Sequence, residues 1–278
     1  MDKAILNRLT ILGHPHRMAV FRLLVRRYPD RLPAGEIGRA LDLKPSTLSV
    51  YLAALCAAGL ITQDRKGTSL RYRAEMSAAQ GMVDYLFLDC CRGRPELCGP
   101  DLQAASPAKP DISGRKMNAL FICTGNSARS VFAEAILRKE AGNVFFAFSA
   151  GTHPNSQLNP TTVAVLRANG HDPSALRPKH VSEFQHDTAP AMDFVITVCD
   201  QAANEECPAW HGQPINAHWG VPDPVKSQGS EAEKRQAFQQ AYDQLRQQIL
   251  TFAALPFHAL GRASLQARVD DIKSLENG

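Results

Sequence analysis

Apolar residues in the first part of the chain recur at helical spacing. A first helix is marked by apolar side chains three or four positions apart, namely Met18, Phe21, Leu24 and Val25. A second, short helix over residues 34–41 ends at the turn formed by residues 42–44. Pro45, which is tolerated in a first helical turn, opens a third helix that carries the apolar stripe Leu48, Leu52 and Leu55 and ends at Gly59. Two helices joined by a three-residue turn predict a helix-turn-helix.

Two strand-like runs follow the third helix. The segments LITQD and SLRYRA are joined by a basic turn over residues 65–68, which predicts a hairpin wing. A further helix over about Ser77–Cys91 carries the apolar side chains Met82, Val83, Leu86, Phe87 and Cys90. That much apolar surface on a terminal helix implies a partner, most simply the same helix of a second subunit. Residues 1–98 are therefore predicted to form a winged helix-turn-helix domain, mainly α-helical with a β wing, that forms a homodimer.

The rest of the chain alternates strands and helices after a linker rich in Pro and Gly at residues 99–115. The runs MNALFI, VFFAFS and DFVITV predict strands, and residues 130–140, 161–169 and 231–255 predict helices. This alternation is typical of an α/β domain with a parallel sheet flanked by helices, whose sites lie at the carboxyl ends of the strands. We assign the domain to residues 116–255 and expect residues 256–278 to form a peripheral tail with little to bury.

Composition and charge agree with this division. The 278 residues are 44% hydrophobic and 21% charged, which suits about two globular domains and excludes disordered and fibrous classes. No run resembles a membrane span or a signal peptide, so we expect a cytoplasmic protein with no membrane partner. Residues 1–73 carry 13 Lys and Arg against 5 Asp and Glu, whereas residues 115–278 carry 15 against 16. The basic front part suits a polyanion and the near-neutral rear part suits a small-molecule site.

The front domain has the features of a DNA-binding module. The stripe of the third helix faces the core, which leaves Ser46, Thr47, Ser49 and Tyr51 facing outward, where such helices contact base edges. On the wing, Arg65, Lys66 and Arg71 are placed to bind phosphate or the minor groove. The predicted partner is double-stranded operator DNA.

The segments LGHPHRMAVFRLL and STLSVYLAALCAAGLI, followed by a wing, resemble the ArsR/SmtB family of metal- and metalloid-responsive repressors over residues 5–98. The resemblance implies a homodimer that releases operator DNA when an inducer binds. Cys90, Cys91 and Cys98 in DCCRGRPELC match the arsenite site of one subgroup. Trivalent arsenic is soft and makes three bonds, whereas zinc prefers four ligands, so arsenite is the expected inducer. Antimonite or another thiophilic ion is the alternative.

In the rear domain, the strand MNALFI leads directly into Cys123 of a Cys-x5-Arg loop that ends at Arg129 before a helix. A loop closing over a helix N-terminus directs its backbone N–H groups at one tetrahedral oxyanion, and Arg129 completes the cradle. The same positive field is expected to lower the pKa of Cys123 and give a nucleophilic thiolate. The other residues expected to bind the oxyanion or brace the loop are Thr124, Gly125, Asn126, Ser127, Ala128 and Ser130.

Three further residues bear on what the thiolate attacks. Asp223 is a candidate general acid, which together with the loop is all that a phosphatase needs. Cys199 ends the strand DFVITV at the same sheet edge as Cys123, and Cys207 follows after seven intervening residues. Three thiols allow a relay that ends in a disulfide cleared by an external thiol.

The segments CTGNSARS, SAGTHP, DFVITVCDQAANEECP and HWGVPDP resemble the arsenate reductases related to low-molecular-weight tyrosine phosphatases, over residues 116–255. The resemblance implies that Cys123 attacks arsenate, Arg129 binds it and Asp223 protonates the leaving oxygen. Cys199 then releases arsenite, and Cys207 leaves a Cys199–Cys207 disulfide for thioredoxin or for glutathione and glutaredoxin. No tightly bound cofactor is expected.

The whole chain is therefore interpreted as an arsenic-resistance protein in which an arsenite-responsive repressor is fused to an arsenate reductase. Two alternatives remain for the rear domain. The first is a hydrolase like the low-molecular-weight protein tyrosine phosphatases, and the second is a non-catalytic module that senses oxyanions.

Overall fold

The computed structural model describes residues 3–90, 115–186, 188–205, 210 and 214–274. The chain divides into two compact units, Met1–Ala108 and Lys109–Gly278, which we call the front and rear units. None of the helices in the described ranges combines the length and apolar character needed to cross a bilayer.

The front unit is a helical domain with a small antiparallel sheet. Its helices are α1 (Lys3–Leu12), α2 (Pro15–Arg26), α3 (Ala34–Ala40), α4 (Pro45–Ala57) and α5 (Met76–Tyr85), and its strands are β1 (Leu32–Pro33), β2 (Ile61–Lys66) and β3 (Ser69–Ala74) in the order β1-β3-β2. Asp42, between α3 and α4, has a φ of 50°, and Gly67 in the wing turn has a φ of 62°. The α3–α4 pair and the β2–β3 hairpin confirm the predicted helix-turn-helix and wing.

The predicted terminal helix of the front unit is shorter than expected. α5 ends at Tyr85 and continues as a π-helical turn over Leu86–Cys90. Of the apolar residues predicted for its surface, Val83, Leu86 and Cys90 are exposed and Phe87 is half-buried, whereas Met82 is buried in the front core; Leu88, which was not predicted, is also exposed.

The rear unit contains a four-stranded parallel sheet. Its strands are β4 (Met117–Cys123), β5 (Phe145–Gly151), β6 (Phe194–Thr197) and β7 (Ile215–His218) in the order β5-β4-β6-β7, and its helices are α6 (Arg129–Ala141), α7 (Pro160–Ala168), α8 (Asp200–Asn204), α9 (Glu231–Ala253) and α10 (Arg262–Asp271). β4 is central and almost wholly buried, as its continuous apolar run indicates. The α/β fold with a parallel sheet flanked by helices is confirmed. β7 is a strand that the sequence pattern did not predict.

The tail after residue 255 is not peripheral, which corrects the sequence-based expectation. Phe257, Leu265, Val269 and Ile272 belong to the rear hydrophobic core. The buried indole Nε1 of Trp219 donates a hydrogen bond to the carbonyl of Val269 at 3.0 Å. α10 also donates to the backbone of the β7 region, since Gln266 Nε2 lies 2.6 Å from the carbonyl oxygen of Asn216. Leu265, Val269 and Ile272 form a short apolar stripe at helical spacing. It is difficult to recognise in the sequence because charged residues lie between its members.

Candidate functional site

Cys123 is the last residue of the central strand β4, and Arg129 is the first residue of α6. The residues between them form a tight loop, so the thiol lies at the carboxyl edge of the sheet and beside the start of a helix. Cys123 is 3% exposed. Cys123, the loop and α6 therefore lie in the order and positions that the sequence pattern predicted.

The loop is oriented by a neighbouring segment of backbone. The carbonyl oxygens of Cys123, Thr124, Gly125 and Ser127 accept hydrogen bonds from the N–H groups of Thr152, His153, Asn155 and Asn159. Because these carbonyls point outward, the N–H groups on the other side of the same peptide units, which belong to the next residues, point to the inner side of the loop. The N–H of Asn126 accordingly donates to Cys123 Sγ at 3.2 Å. An inward-facing set of N–H groups is an anion cradle.

Asn126 holds the loop in its unusual conformation. It is fully buried and has a φ of 42°, in the left-handed region that non-glycine residues rarely adopt. Its Nδ2 donates to Ser130 Oγ and Ser149 Oγ, each at 2.9 Å, and its Oδ1 accepts from the backbone N–H of Lys179 at 2.7 Å. The predicted bracing role of Asn126 thus rests on three separate elements.

A buried ion pair that the sequence analysis did not predict lies behind Asn126. Glu134 Oε2 accepts from Lys179 Nζ at 3.1 Å and from Ser149 Oγ. Both charged residues are buried, Glu134 at 3% and Lys179 at 8% exposure. Since buried charges need partners, this pair depends on both members being present. The only sequence signal was an acidic residue on an otherwise apolar stretch of α6.

The thiol of Cys123 is itself hydrogen-bonded. Its Sγ lies 2.9 Å from Ser130 Oγ. Burial raises the pKa of Cys123, and the neighbouring Cys199 raises it further, while Ser130 and the charge of Arg129 lower it. The pKa of Cys123 is thus raised and not lowered as expected, because burial and the second cysteine outweigh the influence of Ser130 and Arg129.

Cys199 comes next to the Cys123 loop because β6 pairs with β4. Its Sγ lies 3.5 Å from Thr124 Oγ1 in that loop. Cys199 also caps α8, accepting from the N–H of Ala202 at 3.5 Å, and it is 2% exposed. Both cysteines are free thiols. Cys207 lies outside the described residues.

Arg129 and Asp223 close the other side of the loop. Arg129 Nη2 lies 2.9 Å from Asp223 Oδ2, and Nη1 donates to the carbonyl of Val221 at 3.1 Å. Asp223 also caps a 3₁₀ turn over Pro224–Lys226 by accepting from the N–H of Val225. The predicted acid and the predicted anion-binding guanidinium are thus brought together.

The remaining loop residues have supporting contacts. Ser127 Oγ accepts from Asn155 Nδ2 at 2.9 Å, and Ala128 is the N-cap residue of α6. A Cβ added at Gly151 would lie 2.6 Å from the carbonyl oxygen of Thr124, so β5 approaches the loop as closely as only glycine permits.

His218 and Asp200 form a contact at the same sheet edge that sequence reasoning did not assign to the site. His218 Nε2 lies 3.0 Å from Asp200 Oδ1, and its Nδ1 lies 2.9 Å from Thr197 Oγ1. Asp200 directly follows Cys199, so the pair ties the start of α8 to the end of β7. Within the described ranges, no three His, Cys, Asp or Glu side chains are grouped so as to hold a metal ion.

In the front unit, the predicted reading residues lie on the outer face of α4. Ser46 and Ser49 are exposed, whereas Thr47 and Tyr51 are half-buried. The ring of Tyr51 packs against those of His14 and His16, with centroids 5.1 and 5.7 Å away.

The wing carries its basic residues as predicted. Arg65 and Lys66 are exposed at the end of β2, and Arg71 on β3 is half-buried. Of the predicted thiol cluster, Cys90 is exposed, while Cys91 and Cys98 lie outside the described residues.

Comparisons with known proteins bear on both units. Residues 12–64 match a helix-turn-helix domain. The chain is 37% identical over 139 residues to an arsenate reductase of Bacillus licheniformis, covering 50% of this chain and 96% of that protein. It is 34% identical over 134 residues to an arsenate reductase of Bacillus subtilis, covering 48% of this chain and 92% of that protein.

Among solved structures, a thioredoxin-dependent arsenate reductase of Corynebacterium glutamicum is 26% identical with a TM-score of 0.37, covering 54% of this chain and 69% of that chain. Residues 118–267 match the model for low molecular weight phosphotyrosine protein phosphatase. Since this match spans more than half of the sequence, the chain belongs to the low molecular weight phosphotyrosine protein phosphatase family.

Proposed function

We propose that the rear unit is a thiol-dependent arsenate reductase, fused to a front unit that represses transcription in the absence of arsenite. One observation carries the enzymatic part: a second buried, free cysteine, Cys199, lies 3.5 Å from Thr124 of the nucleophile loop. Phosphate hydrolysis needs only Cys123, the loop and an acid, whereas reduction needs a second thiol within reach. The similarity to curated arsenate reductases supports the same choice.

The first step uses Cys123, the loop and the Arg129–Asp223 pair. The inward N–H groups and Arg129 bind arsenate, and the Cys123 thiolate forms a bond to arsenic. One arsenate oxygen leaves as water, taking a proton from Asp223. Arg129 is shared between the oxyanion and Asp223, because its Nη2 already lies 2.9 Å from that carboxylate.

The next steps move two electrons from sulfur to arsenic. Cys199 attacks Sγ of Cys123, so that an S–S bond forms, the S–As bond breaks and its electron pair leaves with arsenic as arsenite. Cys207 then attacks Cys199, which frees Cys123 and leaves a Cys199–Cys207 disulfide. Thioredoxin, or glutathione with glutaredoxin, reduces this disulfide, so no tightly bound cofactor is required.

The test is a coupled assay of the full chain with arsenate, NADPH and either a thioredoxin or a glutaredoxin recycling system. We expect NADPH consumption that depends on arsenate in the parent, whereas Cys207→Ser should release about one equivalent of arsenite per chain without sustained NADPH consumption. Hydrolysis of p-nitrophenyl phosphate without arsenate-dependent NADPH consumption would instead identify a phosphatase. Arsenate binding with neither activity would identify a sensing module.

The regulatory part of the proposal concerns the front unit. Here α4 and the wing bind double-stranded operator DNA, and the exposed apolar side chains Val83, Leu86 and Leu88 form the contact of a homodimer. Cys90, Cys91 and Cys98 bind arsenite through three thiolates, which releases the DNA. In this arrangement residues 1–98 sense and bind DNA, residues 99–115 link the domains, and the protein acts in the cytoplasm.

Titration of labelled operator DNA tests the coupling. Arsenite should release the protein directly, whereas arsenate should do so only with a reductant and with Cys123, Cys199 and Cys207 intact. Release by arsenate from Cys123→Ser would replace the sequential scheme with direct arsenate sensing. Unchanged arsenite release from Cys91→Ser would place the inducer site elsewhere, and antimonite tests whether the thiols select arsenic.

A further inference from the structure

The helix α4 contains none of the side chains that usually identify three of the four DNA bases. Its sequence, PSTLSVYLAALCA, has no charged residue and no Asn or Gln. Guanine is usually read by Arg or Lys, adenine by Asn or Gln, and cytosine by Asp or Glu. If α4 enters the major groove, it must recognise its site in another way.

Small and apolar groups make up the outer face of α4. Leu48, Leu52 and Leu55 are buried in the front unit. The exposed residues of the helix are Pro45, Ser46, Ser49, Val50, Ala53 and Ala57. Val50 is 65% exposed, which is unusual for a branched apolar side chain in the middle of a helix.

The polar groups of this face are partly engaged within the unit. Ser49 Oγ donates to the carbonyl of Ser46 at 2.7 Å, so its hydrogen is already used. Tyr51 is half-buried against the rings of His14 and His16. Methyl groups are therefore the main feature that the middle of α4 presents.

Building on the proposed DNA-binding function, we propose that α4 recognises thymine through its 5-methyl group, with Val50 as the principal contact and Ala53 beside it. The thymine methyl is the apolar group on the base edges of the major groove, and small apolar side chains fit it. Sequence-independent affinity comes from the flanking cations, Lys44 before α4 and Arg65 and Lys66 on the wing, all exposed.

The experiment first selects binding sites for the full chain from a pool of random duplexes. Each thymine of a selected site is then replaced, one at a time, by deoxyuridine, which removes the methyl group and leaves the hydrogen-bonding edges unchanged. We expect binding to be about fourfold weaker when thymine is replaced at one or two positions. This is the affinity lost when the burial of one methyl group is lost. In Val50→Ala the same replacements should have no effect.

Val225→Ala is the matched control, because Val225 is also an exposed valine, at 51% exposure, and lies in the rear unit, outside the proposed DNA-binding and dimer surfaces. It should keep the deoxyuridine sensitivity of the parent. Selected sites that tolerate deoxyuridine at every thymine would overturn the inference while leaving DNA binding intact. Equal losses in Val50→Ala and the parent would overturn the role of Val50. If no duplex is enriched or bound, the repressor function fails and the inference fails with it.

Discussion

The loop around Cys123 and the outer face of α4 differ in how their side chains are held. In the loop, Asn126 is fully buried and each side-chain polar atom has a partner within the rear unit. On α4, Val50 is 65% exposed, and a contact for it must come from another molecule. The loop is thus specified by the fold itself, whereas the helix face only gains its function when a partner arrives.

This difference decides what substitutions should do. A buried, fully paired group contributes to both folding and chemistry, so replacing it changes stability and activity together. An exposed side chain contributes little to folding, so replacing it should change only binding.

The largest effect is expected at the nucleophile. Cys123→Ser should reduce arsenate-dependent NADPH consumption by at least about a thousandfold, because a serine hydroxyl is a far weaker acid and nucleophile than a cysteine thiol and cannot form the disulfide that releases arsenite. Cys56→Ser is the matched control, since Cys56 is a half-buried free thiol of the front unit. Retained turnover in Cys123→Ser would remove this residue from the mechanism.

The second-largest effect is expected on stability, when the buried Glu134–Lys179 ion pair behind the loop is broken. Glu134→Gln leaves the Lys179 ammonium buried without its carboxylate, which should lower the free energy of unfolding by about 3–5 kcal/mol. Glu183→Gln removes the partner of Arg177 in an exposed pair and should cost at most about 1 kcal/mol. Urea unfolding followed by tryptophan fluorescence reports on the rear unit, because both tryptophans, Trp210 and Trp219, lie there. Equal losses in the two variants would mean that burial of the pair is unimportant.

A smaller effect concerns the pH dependence of Cys123. Burial and Cys199 raise the pKa of Cys123, so the midpoint of its alkylation should lie at higher pH than that of an exposed cysteine. Removing Cys199 removes one of the raising influences, so Cys199→Ser should move the midpoint of Cys123 alkylation by iodoacetamide to lower pH. Mass spectrometry of the labelled peptides follows each cysteine separately. A midpoint that stays the same or rises would show that Cys199 does not act on Cys123.

Sequence reasoning predicted the parts of this comparison that depend on local pattern. The Cys-x5-Arg spacing after a buried strand placed Cys123 and Arg129 correctly, since a strand, a loop and a helix in that order leave little choice of geometry. The apolar stripe of α4 is buried as predicted and Ser46 and Ser49 face outward, but Thr47 and Tyr51 are half-buried and the exposed Val50 was not predicted.

Side-chain contacts between residues far apart in the chain could not be predicted from the sequence. Lys179 is 53 positions from Asn126 and 45 from Glu134, and no local signal links them. The pKa of Cys123 was predicted in the wrong direction for a related reason: the loop motif reveals the positive field but not the depth of burial. The tail was expected to have little to bury, yet the carbonyl of Val269 accepts the hydrogen bond of the buried Trp219.

The smallest effect is expected on DNA binding, when cations of the wing are replaced. Here the wing is compared with the outer face of α4, the other exposed surface of the front unit. Arg65 and Lys66 are exposed cations at the end of β2 and should bind phosphate, which attracts DNA of any sequence. Replacing both with Ala should weaken specific and random DNA alike and reduce the slope of log affinity against log salt by roughly one to two units. Ser46→Ala on α4 should instead change the preference between sites and leave the salt slope as it was. Fluorescence anisotropy at several salt concentrations, with an operator and a random duplex, measures both quantities. If the wing variant and Ser46→Ala shift the two duplexes in the same way, then Ser46 does not read bases and its assignment as a reading residue is wrong.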